Sequence, residues 1–286
     1  MDILFLTFNE LSASNGISKK ILYQKKALEI NGFTVHLVYV VLKDFKYELY
    51  INDRKIASYH RNIFWTLKLV SLKLKFLSYV KENCIKNVYV RYTQYASPTI
   101  VALFKAFKCE GMKVVLEIPS YPYDDEFKTV KLKMFLIWER FWRERMAKYI
   151  DYIVTFSNFE KIWLRLTLKI NNGIDFSSIA VKSVNRQITN RLEIIAVAGI
   201  SFWHGFDRVI EGLKLYYESQ PQNVQVYFNI VGKGNITTYN SLVDLVSKYN
   251  LNKYVIFHGA QFGTALDALF ESADVAIASL GCHRKN

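Results

Sequence analysis

Three groups of residues have the types and spacing to do chemistry. In residues 196–213 an apolar run breaks at Gly199, passes through Ile200, Ser201, Phe202, Trp203, His204 and Gly205, and resumes as an amphipathic helix from Asp207. A strand, short loop and helix in that order aim backbone N–H groups at an anion. Gly232-Lys233-Gly234 follows the apolar run 224–231 and sets a cation between two residues that let backbone approach a ligand. Gly16 stands in the same relation to the first apolar run, residues 3–8. The third group, Glu117-Ile118-Pro119-Ser120-Tyr121-Pro122-Tyr123-Asp124-Asp125, combines carboxylates with tyrosines after another strand, and Arg91-Tyr92 ends a neighbouring one. That composition suits a hydroxylated ligand. No serine elbow or P-loop is present, and Cys84, Cys109 and Cys282 are too scattered to suggest a disulfide or a zinc site.

Each group also has a structural reading that the residues alone leave open. Trp203 can pack and His204 can be satisfied by backbone in a helix-entry loop. Gly232 and Gly234 can mark a tight turn, and Gly16 a simple loop before a helix. Glu117 and Tyr121 can belong to a surface loop stiffened by proline, and Ser157 can cap a helix.

Those residues need a scaffold, and the apolar pattern supplies one. With 286 residues the chain exceeds one typical core, and two α/β domains account for it better. Strands are expected at residues 3–8, 34–40, 87–92, 113–119 and 152–157, with helices at 17–28, 64–80, 98–108 and 126–148 between them. Residues 47–59 read as a hairpin about Asn52-Asp53 and interrupt the alternation; a short helix is expected after Ser157. Residues 176–190 lose apolar periodicity and read as a linker. A second alternation follows: strands at 192–198, 224–231, 254–259 and 273–280, helices at 207–218, 237–248 and 264–271. Continuously apolar strands separated by helices indicate parallel sheets covered on both faces.

The ordered set Asn172-Gly173-Ile174-Asp175, Trp203-His204-Gly205-Phe206-Asp207-Arg208, Ile230-Val231-Gly232-Lys233-Gly234, Phe257-His258-Gly259 and residues 272–279 resembles glycosyltransferase family 4, of GT-B fold. The resemblance implies two Rossmann-like, doubly wound domains facing a cleft: residues 1–175 on the acceptor side, a linker 176–190, and a partial nucleotide-sugar domain, 191–286. It implies a retaining, hexosyl-type transferase that needs no cofactor and no obligatory metal, working on a glycan or lipid-linked acceptor in surface polysaccharide biosynthesis. Departure of a nucleoside diphosphate builds negative charge that fixed N–H groups and a cation stabilise. Donor contacts are thereby expected from Gly16, Ser201, His204, Gly205, Gly232, Lys233 and Gly234, and acceptor contacts from Arg91, Glu117 and Tyr121, Glu117 being also the catalytic candidate. Asn172–Asp175 is expected to act chiefly as a hinge.

Two departures from the family pattern stand out. Ile200 and His204 occupy places where an arginine and a lysine are common. The pair of glutamates separated by seven residues that normally follows a strand like 273–280 is absent, so the resemblance implies truncation at the C-terminus and an edge strand left poorly covered.

A formal charge of +13 points to an anionic partner. The basic, aromatic helices at 64–81 and 126–148, with Trp65, Phe76, Phe135, Trp138, Phe141 and Trp142, suit either a buried core or an anionic membrane surface. Nucleic acid is the weaker expectation, since no recognised module appears. Residues 1–8 lack the pattern of a signal peptide, and no apolar run is long and charge-free enough to span a membrane. The expected location is the cytoplasm, at the inner face of the cell membrane. From a different class, a non-catalytic peripheral membrane or interaction protein on a degenerate transferase fold also fits these observations.

Overall fold

The computed structural model describes residues 1–12, 16–60, 69–127, 129–179, 181–182, 190–219 and 223–285. The chain divides into two compact units, Met1–Phe176 and Ser177–Asn286.

The first unit runs β1 (Asp2–Glu10), α1 (Gly16–Ile30), β2 (Thr34–Lys43), β3 (Lys46–Ile51), β4 (Arg54–His60), α2 (Leu69–Glu82), β5 (Asn87–Arg91), α3 (Pro98–Cys109), β6 (Lys113–Ile118), α4 (Val130–Ala147), β7 (Tyr152–Thr155), β8 (Lys161–Ile162) and β9 (Arg165–Lys169). Its described strands form one sheet in the order β4-β3-β2-β1-β5-β6-β7-β9-β8, parallel from β2 through β9. Leu4, Leu6, Val88, Val90, Val114 and Leu116 meet Phe76 of α2 and Phe104 and Phe107 of α3 on one face. Phe5, Val35 and Leu37 meet Ile21 of α1 on the other. Burial on both faces is why these strands read as unbroken apolar runs. Pro98 and Ser97 start α3, the serine hydroxyl accepting from the Ile100 N–H at 3.4 Å.

The expected hairpin is present as β3 and β4, with Asn52 at φ 50°. The short helix expected after Ser157 is instead the β8–β9 hairpin, turned at Trp163 and Leu164 with φ of 49° and 63°. Its second strand finds a parallel partner in β7, and that sheet edge outweighs local helix preference. The long helix begins at Val130, four residues later than expected: Asp124–Glu126 form a separate 3₁₀ turn, and the Thr129 hydroxyl caps α4 through the Leu132 N–H. Of the expected helix at residues 64–80, the part through residue 68 lies outside the described residues; α2 covers the rest.

The second unit contains β10 (Arg191–Val197), α5 (Phe206–Glu218), β11 (Gln225–Val231), α6 (Ile236–Lys248), β12 (Val255–Gly259), α7 (Gly263–Ser272) and β13 (Val275–Ile277). The described strands are all parallel, in the order β12-β11-β10-β13. Ala196, Phe228 and Ile230 pack under Phe206, Ile210 and Leu213 of α5 and Leu242 and Val246 of α6. Ile195 and Val231 pack on the opposite face beside α7. The last strand is shorter than expected and lies at the sheet edge with Val275 exposed. Both units are thus Rossmann-like layers of helices on a parallel sheet. Of the expected linker, residues 180 and 183–189 lie outside the described residues.

Candidate functional site

Open parallel sheets bind ligands outside the carboxyl ends of their strands, where the strand order reverses. In the second unit that point lies between β10 and β13, and the loop from Gly199 to Gly205 leaves the sheet there. The pairing of β10 with β11 runs past both strand ends: the Ala198 N–H donates to the Val231 carbonyl, the Ile200 N–H to the Lys233 carbonyl, and Ile200 bridges Gly234. A Cβ at Gly232 would stand 1.8 Å from the Ala198 carbonyl oxygen, and one at Gly234 would stand 1.9 Å from that of Ile200. Both glycines are therefore required by the contact between the two loops, whether or not a ligand ever meets them. Lys233 between them is exposed and, among the described residues, makes no ion pair.

His204 ends a 3₁₀ turn, Phe202–His204, and its Nδ1 accepts the Ser201 N–H at 3.0 Å. Burial holds the imidazole below its ordinary pKa, and protonating Nδ1 would in addition break that hydrogen bond. The ring is neutral at pH 7, with its proton on Nε2, and it stacks on Phe206. It offers a hydrogen-bond donor in place of the expected charge. Because the folded state binds this proton less readily, His204 contributes stability above about pH 6.5 that is lost as pH falls through its folded value. An NMR titration should place its midpoint below that of a model histidine, about 6.5; a midpoint at or above that value would contradict the assignment.

Gly205 has φ 69° and lies against the chain after β13, where a Cβ would come within 2.7 Å of the Gly281 N. The Leu280 N–H donates to the His204 carbonyl and the Arg208 guanidinium to the Leu280 carbonyl, so the loops after β10 and β13 are held together at the switch point. The Ser201 hydroxyl donates to the Gly199 carbonyl at 3.2 Å. Beside this loop a groove of about 550 Å³ is lined by Phe202, Asp207, Glu211, Thr237, Thr238 and Ser241. Its carboxylates disfavour a diphosphate and suit hydroxyl groups, so the phosphate-compatible side of the loop is the one bearing Lys233.

In the first unit the order reverses between β1 and β5. Arg91 ends β5, and its Nη1 lies 2.5 Å from Glu117 Oε1 on β6; both side chains are buried. Glu117 Oε2 accepts from Gln24 of α1 at 2.8 Å and from the Tyr89 hydroxyl at 2.9 Å. Both carboxylate oxygens are thus occupied, and Glu117 holds Arg91 and α1 in place; the open, cleft-facing position expected of it is not what the fold provides. Lys20, one turn into α1, lies 3.8 Å over the Phe156 ring and donates to the Asn172 side chain at 2.6 Å. Burial, then the neighbouring Arg91, lower its pKa, with Glu117 opposing them. Lys26 pairs with Asp175, so Asn172–Asp175 is fastened to α1 within this unit. Gly16 begins α1, and a Cβ there would meet nothing within 4 Å. Among the described residues no packing contact requires a glycine at that position.

The loop after β6 ends in a buried polar cluster that the sequence did not announce. Tyr92 and Tyr123 both donate to Glu139 of α4, the latter at 2.9 Å, and Arg143 reaches Glu139 at 3.2 Å and Asp124 at 2.8 Å. Burial raises the Glu139 pKa against the pull of Tyr92 and Arg143. For Asp124, burial also opposes ionisation, but Arg143 and Arg140 outweigh it and hold its carboxyl below the ordinary value. Tyr121 is half-buried, edge-on to Phe159 at 5.1 Å and to Tyr123. The expected acceptor-side residues are therefore neighbours at the ends of β5 and β6, backed by a carboxylate and arginine network.

No protein-family model and no curated protein matches the sequence. Solved structures do. Anabaena HepE in complex with UDP aligns with a TM-score of 0.61 at 16% identity, over 96% of this chain and 73% of that one. An alpha-glucosyltransferase in complex with UDP and a 13-mer DNA aligns with a TM-score of 0.60 at 15% identity, over 96% of this chain and 71% of that one. A glycosyltransferase from Rickettsia africae aligns with a TM-score of 0.58 at 16% identity, over 98% of this chain and 73% of that one. Likeness at this identity establishes architecture, and the architecture is that of the GT-B glycosyltransferases.

Proposed function

We propose that the chain is a retaining glycosyltransferase of family 4 type, transferring a hexose or related sugar from a nucleotide donor to a glycan or lipid-linked acceptor in surface polysaccharide assembly. The observation that carries this reading is Lys233: an exposed cation with no ion pair among the described residues, at the carboxyl end of β11 beside the β10–β13 switch point. It stands in a fold shared with proteins solved with UDP bound.

In this reading the departing diphosphate is met by the Lys233 ammonium and by the Nε2–H of His204. These groups supply the electrostatic stabilisation without an obligatory metal. On the first unit, Tyr121 with its aromatic neighbours offers an acceptor a stacking surface.

Nucleotide-dependent thermal stabilisation tests the donor assignment. A nucleoside diphosphate from a panel of UDP, GDP and dTDP should raise Tm, by the equivalent of about 2.7 kcal/mol at a hundredfold excess over Kd. Lys233→Ala should weaken that binding roughly tenfold, the effect of losing about one charge-assisted contact, and should leave the unliganded Tm within a degree or two, since the side chain is exposed. If none of the three shifts Tm, the transferase reading gives way to a non-catalytic protein on this fold.

A further inference from the structure

Helix α4 has two apolar faces, and the unit covers only one. Leu136, Glu139, Met146 and Ala147 are buried against the rest of the unit. On the opposite side Val130, Met134, Ile137, Trp138 and Phe141 are 77%, 68%, 68%, 51% and 49% exposed. Their spacing of i, i+4, i+7, i+8 and i+11 follows the α-helical period and makes one continuous stripe. A contiguous exposed apolar patch of this kind marks a surface that something covers.

The charges around the stripe identify what that is. Lys131, Lys133, Arg145 and Lys148 are exposed on α4 and its C-cap, against the exposed acid Glu144, while Arg140 is engaged by Asp124. The Arg145 guanidinium lies 3.4 Å over the Phe141 ring, a cation laid on the edge of the apolar stripe. Two copies packed through this face would set four cations against four, because a two-fold interface opposes a patch to itself. An anionic partner with an apolar interior has the complementary chemistry. Among the described residues no helix is long and apolar enough to cross a membrane, so the contact is lateral. The equivalent stripe of α2 is unavailable: Leu72, Phe76 and Val80 are core. Of the aromatic residues expected to act together on α4, Trp142 packs on the core and Phe135 stacks on Tyr95 and Phe127, while Trp138 and Phe141 face out.

We infer that the outer face of α4 docks the protein on an anionic lipid surface, with Met134, Ile137, Trp138 and Phe141 at acyl depth and the flanking lysines and arginines among the headgroups. The inference goes beyond the sugar-transfer reading, and its test contains neither nucleotide nor sugar.

The test is co-sedimentation of the 286-residue chain with vesicles of phosphatidylglycerol and phosphatidylcholine, compared with phosphatidylcholine alone. Binding should require the anionic lipid and weaken with salt. The triple change Lys131→Gln, Lys133→Gln and Lys148→Gln should weaken it on the order of a hundredfold, at about fivefold per basic residue. Ile137→Glu should abolish it, with Tm unchanged in both variants because every replaced side chain is exposed. Brominated acyl chains should quench tryptophan emission, and Trp138→Phe should remove most of that quenching. Absence of binding, equal binding to neutral vesicles, or variants that bind like the parent would overturn the inference. So would a dimer that Ile137→Glu dissociates, since the stripe would then belong to a second copy.

Discussion

Replacing Arg91 with methionine should destabilise the first unit by about 3–5 kcal/mol, because Glu117 would be left in a buried site without its main partner. For a unit of this size that corresponds to a fall in Tm of roughly 6–20 °C. Adding Glu117→Leu to Arg91→Met should recover much of the loss, since removing both charges of a buried pair leaves no ion unpaired; Gln24 and Tyr89 would still lose an acceptor, so recovery would be incomplete. Differential scanning calorimetry of the two variants measures this directly. The same experiment separates two roles for Glu117. A residue that holds β5, β6 and α1 together shows itself in Tm, whereas one that reacts with substrate would, as Glu117→Gln, depress turnover while leaving Tm in place. Equal Tm for the parent and Arg91→Met would contradict the structural role.

Gly232→Ala and Gly234→Ala should each destabilise the second unit by roughly 3 kcal/mol, the upper range for forcing extra volume into a packed site. In both cases the new methyl group collides with a backbone carbonyl, which cannot rotate away as a side chain would. Gly232 carries the further strain of φ 140°, a conformation open to glycine and hardly to any other residue. Urea denaturation should show a lowered midpoint for both. Lys233→Ala, between them, should leave the midpoint unchanged and lose nucleotide affinity. That contrast within three consecutive residues separates what the fold needs from what a ligand needs. A Gly234→Ala variant as stable as the parent would show that the loops after β10 and β11 are not in contact.

Much of the architecture was legible because parallel strands buried on both faces leave a strong mark. The runs at β1, β2, β5, β6, β10 and β11 are almost unbroken apolar stretches, and all but β2, which runs into the β3–β4 hairpin, lead on to a helix. The β3–β4 hairpin was legible from Asn52-Asp53 and the alternation around it. β8 and β9 were not. They are short, and the leucines at 164, 166 and 168 are exposed, so no buried periodicity distinguishes them; the pairing of β9 with β7 is a tertiary event that local propensity does not encode.

The site shows the same division. The chain itself contains the loop chemistry: a glycine-bounded turn after β10, Gly-Lys-Gly after β11, and Arg91 and Glu117 at the ends of adjacent strands. Residue types and spacing sufficed to nominate them, because strand ends and glycines leave a local signature. What each does was decided only by folding. Arg91 and Glu117 are 26 residues apart and become a buried pair through the register of β5 on β6. Glu139 looks like any helix carboxylate until Tyr92, Tyr123 and Arg143 close around it. His204 has the character of a neutral donor because burial lowers its pKa and the Ser201 N–H occupies its Nδ1. Which apolar face of α4 is core and which is left for a partner follows from where the unit packs, and a helix that is apolar on two sides carries no local mark of that choice. Sequence by itself determined the alternation of elements and the candidate side chains, since both depend on neighbours a few residues away. Tertiary structure alone decided burial, pairing and protonation, since those depend on groups that the chain brings together from far apart.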